Sequence, residues 1–229
     1  MVKIERQDNE KTRKAIQSLE KAKQKSGKYN TPEVFEALQE TFHGKCYICE
    51  NKNATSWEIE HLKPQGKDVS LRYDWHNLFL ACAHCNHIKG SQYTPILDCT
   101  KIDVDDIISF RKLGYFGTEE LLDFKRVDSV ADSHEIVLTC ELLQRVYSGK
   151  TAREKFGAKV LRNAVMIELS KFKNYVREYL RSTGEDKKDV FELIRRELKS
   201  NSLFTAFKRW VVRDNPEWCR DFMDCWKKN

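Results

Sequence analysis

The sequence predicts an α+β protein, mostly α, in which a small polar core sits between an N-terminal helical segment and a helical C-terminal region. Three observations predict it. Two Cys-x-x-Cys pairs, Cys46-Tyr47-Ile48-Cys49 and Cys82-Ala83-His84-Cys85, bracket a stretch dense in His, Asn and Trp and poor in helical periodicity. The last third carries apolar residues at steps of three and four, the mark of amphipathic helices. Ahead of the first pair, Thr31-Pro32 opens a shorter run with the same period. These features divide the chain into residues 1–45, 46–100 and 101–229, the last long enough to be a partner-binding lobe.

Asn9 to Ser26 is helix-permissive, with Ala15, Ile16, Leu19 and Ala22 as a narrow apolar stripe on a very basic, solvated helix. Gly27-Lys28-Tyr29-Asn30 reads as a turn. Thr31 is placed to cap a second helix and Pro32 to occupy its first turn. Val34, Leu38 and Phe42 form its buried line, and Gly44 stands where a helix stop belongs. Beyond the polar core, Ile96-Leu97-Asp98 and the run Asp103 to Phe110 lead into two short strands around Gly114 and Gly117. The run Glu135-Ile136-Val137-Leu138-Thr139 reads equally as a strand or a helix start. Phe156, Val160, Leu161, Ala164, Val165, Leu169, Phe172, Val176 and Leu180 predict a long amphipathic helix ending near Thr183-Gly184. Phe191, Ile194 and Leu198 predict another, and Leu203, Phe204, Phe207, Trp210 and Val211 a third that Asn215-Pro216 breaks. Trp218, Phe222 and Trp226 predict a closing helix.

Composition sets limits on the class. With 40% hydrophobic and 33% charged residues in a chain of 229, the sequence can bury a core and is not of the disordered kind. The net charge of +6 comes from 41 basic residues interleaved with 35 acidic ones, so charge by itself gives only a weak hint of polyanion binding. Met1-Val2-Lys3-Ile4-Glu5-Arg6 has no apolar run of signal-peptide type, and no stretch reaches the roughly 20 apolar residues of a membrane span. A cytoplasmic protein is expected. In that reducing compartment the 8 cysteines are thiols or metal ligands rather than a disulfide framework.

Each Cys-x-x-Cys pair sets two thiolates on one turn, and two such pairs complete a tetrahedron around zinc. A site of Cys46, Cys49, Cys82 and Cys85 is closed, so its zinc holds the fold and leaves catalysis to other groups. The alternatives are buried free thiols or a redox pair, though a redox Cys-x-x-Cys normally occurs once and near a βαβ pattern. His43 and His84 are substitute ligands that four sulfurs make unnecessary. Cys99, Cys140, Cys219 and Cys225 lack such spacing and read as core or surface thiols.

Within and just after this frame come Ile59-Glu60-His61-Leu62-Lys63-Pro64, Trp75-His76-Asn77-Leu78 and Cys85-Asn86-His87-Ile88-Lys89-Gly90. This order resembles the HNH nuclease family, over Cys46 to Gly90. The resemblance implies a zinc-clamped ββα-metal core, with an acid-His pair on one strand, Asn-Leu on the next, and Asn-x-x-Lys-Gly opening a helix. It implies an HNH endonuclease that hydrolyses phosphodiester bonds of DNA or RNA with Mg²⁺ or Mn²⁺.

Phosphodiester hydrolysis needs a base for water, a cation to offset developing charge, and something to fix the base. His61 is the candidate base, Asn77 orients it, and Lys89 can approach a phosphate. Glu60 and Asn86 offer oxygen donors to a hard cation, with His87 the alternative to Asn86. Neighbours on a regular strand face opposite ways, so Glu60 and His61 serve one site only if the strand bends there. His76 is the rival base, and Trp57 and Trp75 read as packing beside the hairpin.

Over its whole length the chain is similar to the PtuB family, the HNH component of Septu-type and retron-associated bacterial defence systems. The segments that carry this likeness are the basic N-terminal helix, Tyr73 to Phe79, Ile96-Leu97-Asp98-Cys99-Thr100 and the helical C-terminal region. That likeness implies a PtuA-type ATPase partner and an anti-phage role. The large helical region carries aromatics such as Phe204, Phe207 and Trp210, most of which must build its own core, with any exposed subset free to serve as an interface. Two rival readings are a non-catalytic zinc module that binds nucleic acid and a structural adaptor of an ATPase complex.

Overall fold

The computed structural model describes residues 1–113 and 121–226. Two helices lead in. Helix α1 (Glu10–Gln24) starts where the Asn9 side chain accepts from the Thr12 amide at 2.9 Å, meeting one of the amides the first turn leaves unpaired. Thr12, Ala15 and Leu19 are buried against α2 (Pro32–Thr41), so α1 is solvated on its outer face alone. Val34, Leu38 and Phe42 are buried as expected, with Ala37 beside them, and Gly44 closes the helix with φ +65°, its amide bonded to the Gln39 carbonyl at 2.8 Å. Thr31 makes no capping bond with its side chain; its hydroxyl lies 2.8 Å from Ser18, joining the two helices.

The polar core is a hairpin with a helix on it. Strands β1 (Trp57–His61) and β2 (Leu78–Cys82) pair antiparallel, with Glu60 opposite Phe79 and His61 opposite Leu78. Between them lie the short helix α3 (Val69–Arg72) and a 3₁₀ turn at Trp75–Asn77. Every residue of β2 is buried, because it passes beneath α2 on its way to α4 (Ala83–Lys89), which begins at the next residue. This is the strand-strand-helix order the resemblance implied.

A second hairpin follows, β3 (Ile108–Leu113) with β4 (Leu121–Arg126). The expected turn at Gly114 and Gly117 lies outside the described residues. The run at Glu135 is a helix start: Ser133 caps α5 (His134–Ser148), whose Ile136, Leu142, Leu143 and Val146 are buried. The long helix α6 (Ala152–Arg181) packs on α5 and then on α7 (Gly184–Glu197). Its buried line is Ala158, Leu161, Val165, Leu169, Phe172, Val176 and Tyr179, whereas Phe156 is 72% and Val160 53% exposed. These two, with Leu180 at 46%, fall off the buried stripe, which threes and fours spaced over 30 residues did not separate.

Helix α8 (Thr205–Arg213) inserts Phe207 among Phe110, Phe124 and Tyr147, with ring centroids 5.4 to 5.8 Å apart. Phe204, Phe207 and Trp210 are buried, so these aromatics build the core and present no free docking face. The closing helix is short, α9 (Pro216–Cys219) followed by a 3₁₀ turn at Arg220–Phe222. The fold is α+β and mostly α. Among the described residues, no helix is long and apolar enough to cross a membrane.

The C-terminal region grips the first cysteine pair. Glu50, buried just after Cys49, accepts from the Ala206 amide at 2.8 Å, and Lys45 donates to the Ser200 and Ser202 carbonyls at 2.6 and 2.9 Å. Tyr147 donates to the Cys49 carbonyl at 2.9 Å. A single apolar core therefore runs from the first residues through the hairpin to Trp210, with a smaller one around Phe172, Ile194 and Phe222.

Candidate functional site

Cys46, Cys49, Cys82 and Cys85 come together as the spacing predicts. All four are buried, and their sulfurs lie within 4.8 Å of one another. Such a set fits a tetrahedral zinc and leaves no position for substrate. The first pair sits in the turn before β1, and the second spans the end of β2 and the first turn of α4. A zinc held there pins both ends of the hairpin.

His61 ends β1, and its ring is 8% exposed with the edge of Tyr29 packed on it at 4.7 Å. The Nε2 atom lies 3.0 Å from the Arg72 carbonyl oxygen at the end of α3. A helix as short as α3 leaves its last carbonyls without helical partners. Two are met from this site: His61 takes that of Arg72, and the Asn77 amide donates to that of Leu71 at 3.0 Å. Asn77 also donates to the Lys63 carbonyl at 3.0 Å and accepts from the Lys63 amide at 2.8 Å. The buried Asn77 therefore ties both ends of the loop that follows His61. Burial lowers the His61 pKa, as do the Lys89 and Arg72 charges, against the opposing pull of the Arg72 carbonyl.

Glu60 faces away from the His61 ring. Its carboxylate accepts from the Tyr47 hydroxyl at 2.6 Å and forms an ion pair with Lys89, which also donates to the His61 carbonyl at 3.0 Å. Burial raises the Glu60 pKa, and Lys89 and Tyr47 oppose that rise. Lys89 is completely buried, so it cannot be the phosphate contact the sequence suggested. It fastens α4 to the end of β1 instead.

Asn86, half-buried on α4, donates to the Glu58 carboxylate of β1. The contacts of Asn86 and Glu60 thus run to different partners. Glu58 and Asn86 line a cavity of about 590 Å³ with Tyr29, Pro32, Phe35 and Trp57. Tyr29 joins this cavity to His61. Glu58 was not singled out in the sequence, although it stands two residues from Glu60 and so on the same face of β1. His87 is exposed, as is His76 in the 3₁₀ turn, while Trp75 is buried. His84 turns from the thiols to the Val146 carbonyl, 2.9 Å from its Nε2.

The family model described as HNH endonuclease matches residues 46–92, the stretch holding the four thiols, the hairpin and α4. This match supports a metal-dependent nuclease-type function and nucleic-acid binding. No curated protein and no solved structure matches the chain.

Proposed function

We propose that the protein is an HNH endonuclease that hydrolyses nucleic-acid phosphodiester bonds with His61 as general base. The observation that carries this reading is the His61 contact with the Arg72 carbonyl. A carbonyl oxygen only accepts, so Nε2 bears the proton and Nδ1 keeps its lone pair. The lowered pKa keeps that ring neutral at physiological pH, the state in which it can take a proton from water. Asn77 holds the loop and preserves the ring's aim.

A Mg²⁺ or Mn²⁺ ion would be taken by the Asn86 amide together with a β1 carboxylate, donors suited to a hard cation. When bound, such an ion offsets charge on the phosphate and the leaving 3′-oxygen, giving 5′-phosphate and 3′-hydroxyl ends. Arg72 is the basic residue at this point. Its guanidinium lies 6.0 Å from the ring of Tyr29, which packs on His61, and it suits a phosphate in place of the buried Lys89.

The defence role belongs to the same proposal and is supported by the sequence likeness to the PtuB family. In it a PtuA-type ATPase binds the region beyond residue 100 and releases the nuclease against phage.

The deciding experiment compares His61→Ala with His76→Ala on plasmid and RNA substrates with Mg²⁺ or Mn²⁺. His61→Ala should keep zinc and substrate affinity while losing about two to four orders of magnitude in rate. His76→Ala should cut nearly as the parent does. Abolished cutting in His76→Ala beside intact cutting in His61→Ala, or 3′-phosphate products, would remove the reading.

A further inference from the structure

Two rungs connect β1 to α4. Glu58 and Glu60 share one face of the strand, and Asn86 and Lys89, three apart, share one face of the helix. The inner rung joins Glu60 to Lys89, and the outer joins Glu58 to Asn86. The rungs differ in charge and in access to water.

On the inner rung both partners are almost fully buried, and the ammonium neutralises the carboxylate. Tyr47 and the His61 carbonyl take further bonding positions. A divalent cation at Glu60 would have to displace Lys89 and leave its ammonium without a counter-charge inside the protein, which is strongly unfavourable. It would also shed waters that Mg²⁺ gives up reluctantly. The outer rung has neither obstacle. Glu58 faces a neutral amide, both side chains are half-buried, and both line the 590 Å³ cavity, which leaves room for a cation with its waters.

Resting on the nuclease reading above, we infer that the catalytic cation is held by Glu58 with Asn86, and that Glu60 is a positioning residue whose bond to Lys89 fixes the end of β1 that carries His61. The acid next to the histidine in sequence is then structural, and the acid three residues before it is the ligand.

The test reads Mn²⁺ binding to the zinc-loaded full chain without nucleic acid, by calorimetry or electron paramagnetic resonance. Glu58→Gln should weaken Mn²⁺ by at least about tenfold and leave the melting temperature unchanged. Glu60→Gln should bind Mn²⁺ nearly as the parent does and melt earlier, because Lys89 loses its counter-ion. Should Glu60→Gln fail to fold, the double variant Glu60→Gln/Lys89→Met removes both buried charges and should bind Mn²⁺ like the parent. The inference is overturned if Glu58→Gln binds Mn²⁺ normally, the result expected of a plain strand-to-helix hydrogen bond. It is equally overturned if the folded double variant loses the ion, or if the parent binds none. Weakened binding in Glu58→Gln beside cutting that survives His61→Ala would keep the cation site and remove His61 as base.

Discussion

The Nε2 atom of His61 stands 3.0 Å from the carbonyl oxygen of Arg72, and this contact fixes which ring nitrogen is basic. The partner carbonyl exists because α3 is one turn long and ends beside the strand, so its terminal acceptors must be met from outside. A local feature of the loop thus sets the tautomer of the ring.

The pH dependence follows from burial of that ring. The folded-state pKa of His61 is lowered below the ordinary 6.5, so the unfolded chain binds a proton there before the folded one does. Stability from this group is therefore full above pH 6.5 and declines as pH falls toward the lowered value. Cutting should be flat at neutral pH and fall only on the acid side of 6.5. NMR titration of the His61 ring, beside log rate against pH, checks both; a midpoint above 6.5 contradicts the assignment.

Asn77→Ala should destabilise the protein by about 2 to 3 kcal/mol, since it leaves the Lys63 amide and two carbonyls unpaired in a closed loop. On the proposed mechanism the cutting rate should fall because the loop aims His61, and KM should rise as well because Arg72, the proposed phosphate contact, ends the helix that Asn77 holds. Asn77→Asp, which keeps the acceptor but turns a charged oxygen toward both carbonyls, should cost at least as much. Urea denaturation and steady-state kinetics measure the two effects.

Zinc removal should unfold the central segment, because the four buried thiols that gather the turn before β1 and the start of α4 lose their common ion. Cys82→Ser should carry little zinc and lose both fold and cutting. Brief EDTA treatment should stop cutting while zinc remains bound, since the second cation has few protein donors. Metal analysis alongside activity separates the two ions, and cutting that survives prolonged chelation contradicts a metal-assisted reaction.

Gly157→Ala probes the contact between α6 and the second cysteine pair. A Cβ at Gly157 would fall 2.4 Å from Nδ1 of His84, whose Nε2 is 2.9 Å from the Val146 carbonyl. The ring must move and give up that bond, so a loss of about 1 to 3 kcal/mol is expected. Adding His84→Ala should recover part of it in thermal melts, and a stable single variant would contradict the packing described.

Much of this molecule is written locally. Cysteines separated by two residues, Thr31-Pro32, the apolar steps of α2 and α7, and the order Glu-His, Asn-Leu, Asn-x-x-Lys-Gly each depend on neighbours within a few residues, so the chain shows them directly. The zinc frame and the ββα core follow from them. The partners across the core were decided elsewhere. The sequence sets Glu60 beside His61 and Lys89 close to Asn86, which suggests that all four serve one site. Strand alternation and the docking of α4 send Glu60 to Lys89 and Tyr47, Glu58 to Asn86, and His61 to Arg72 instead. In the same way Phe156 and Val160 carry the period of a buried helix face yet stand in water, because α5 and α7 cover another stripe of α6. Periodicity says that a face exists; only the packing of a second element determines which residues on it leave water, and which charge meets which.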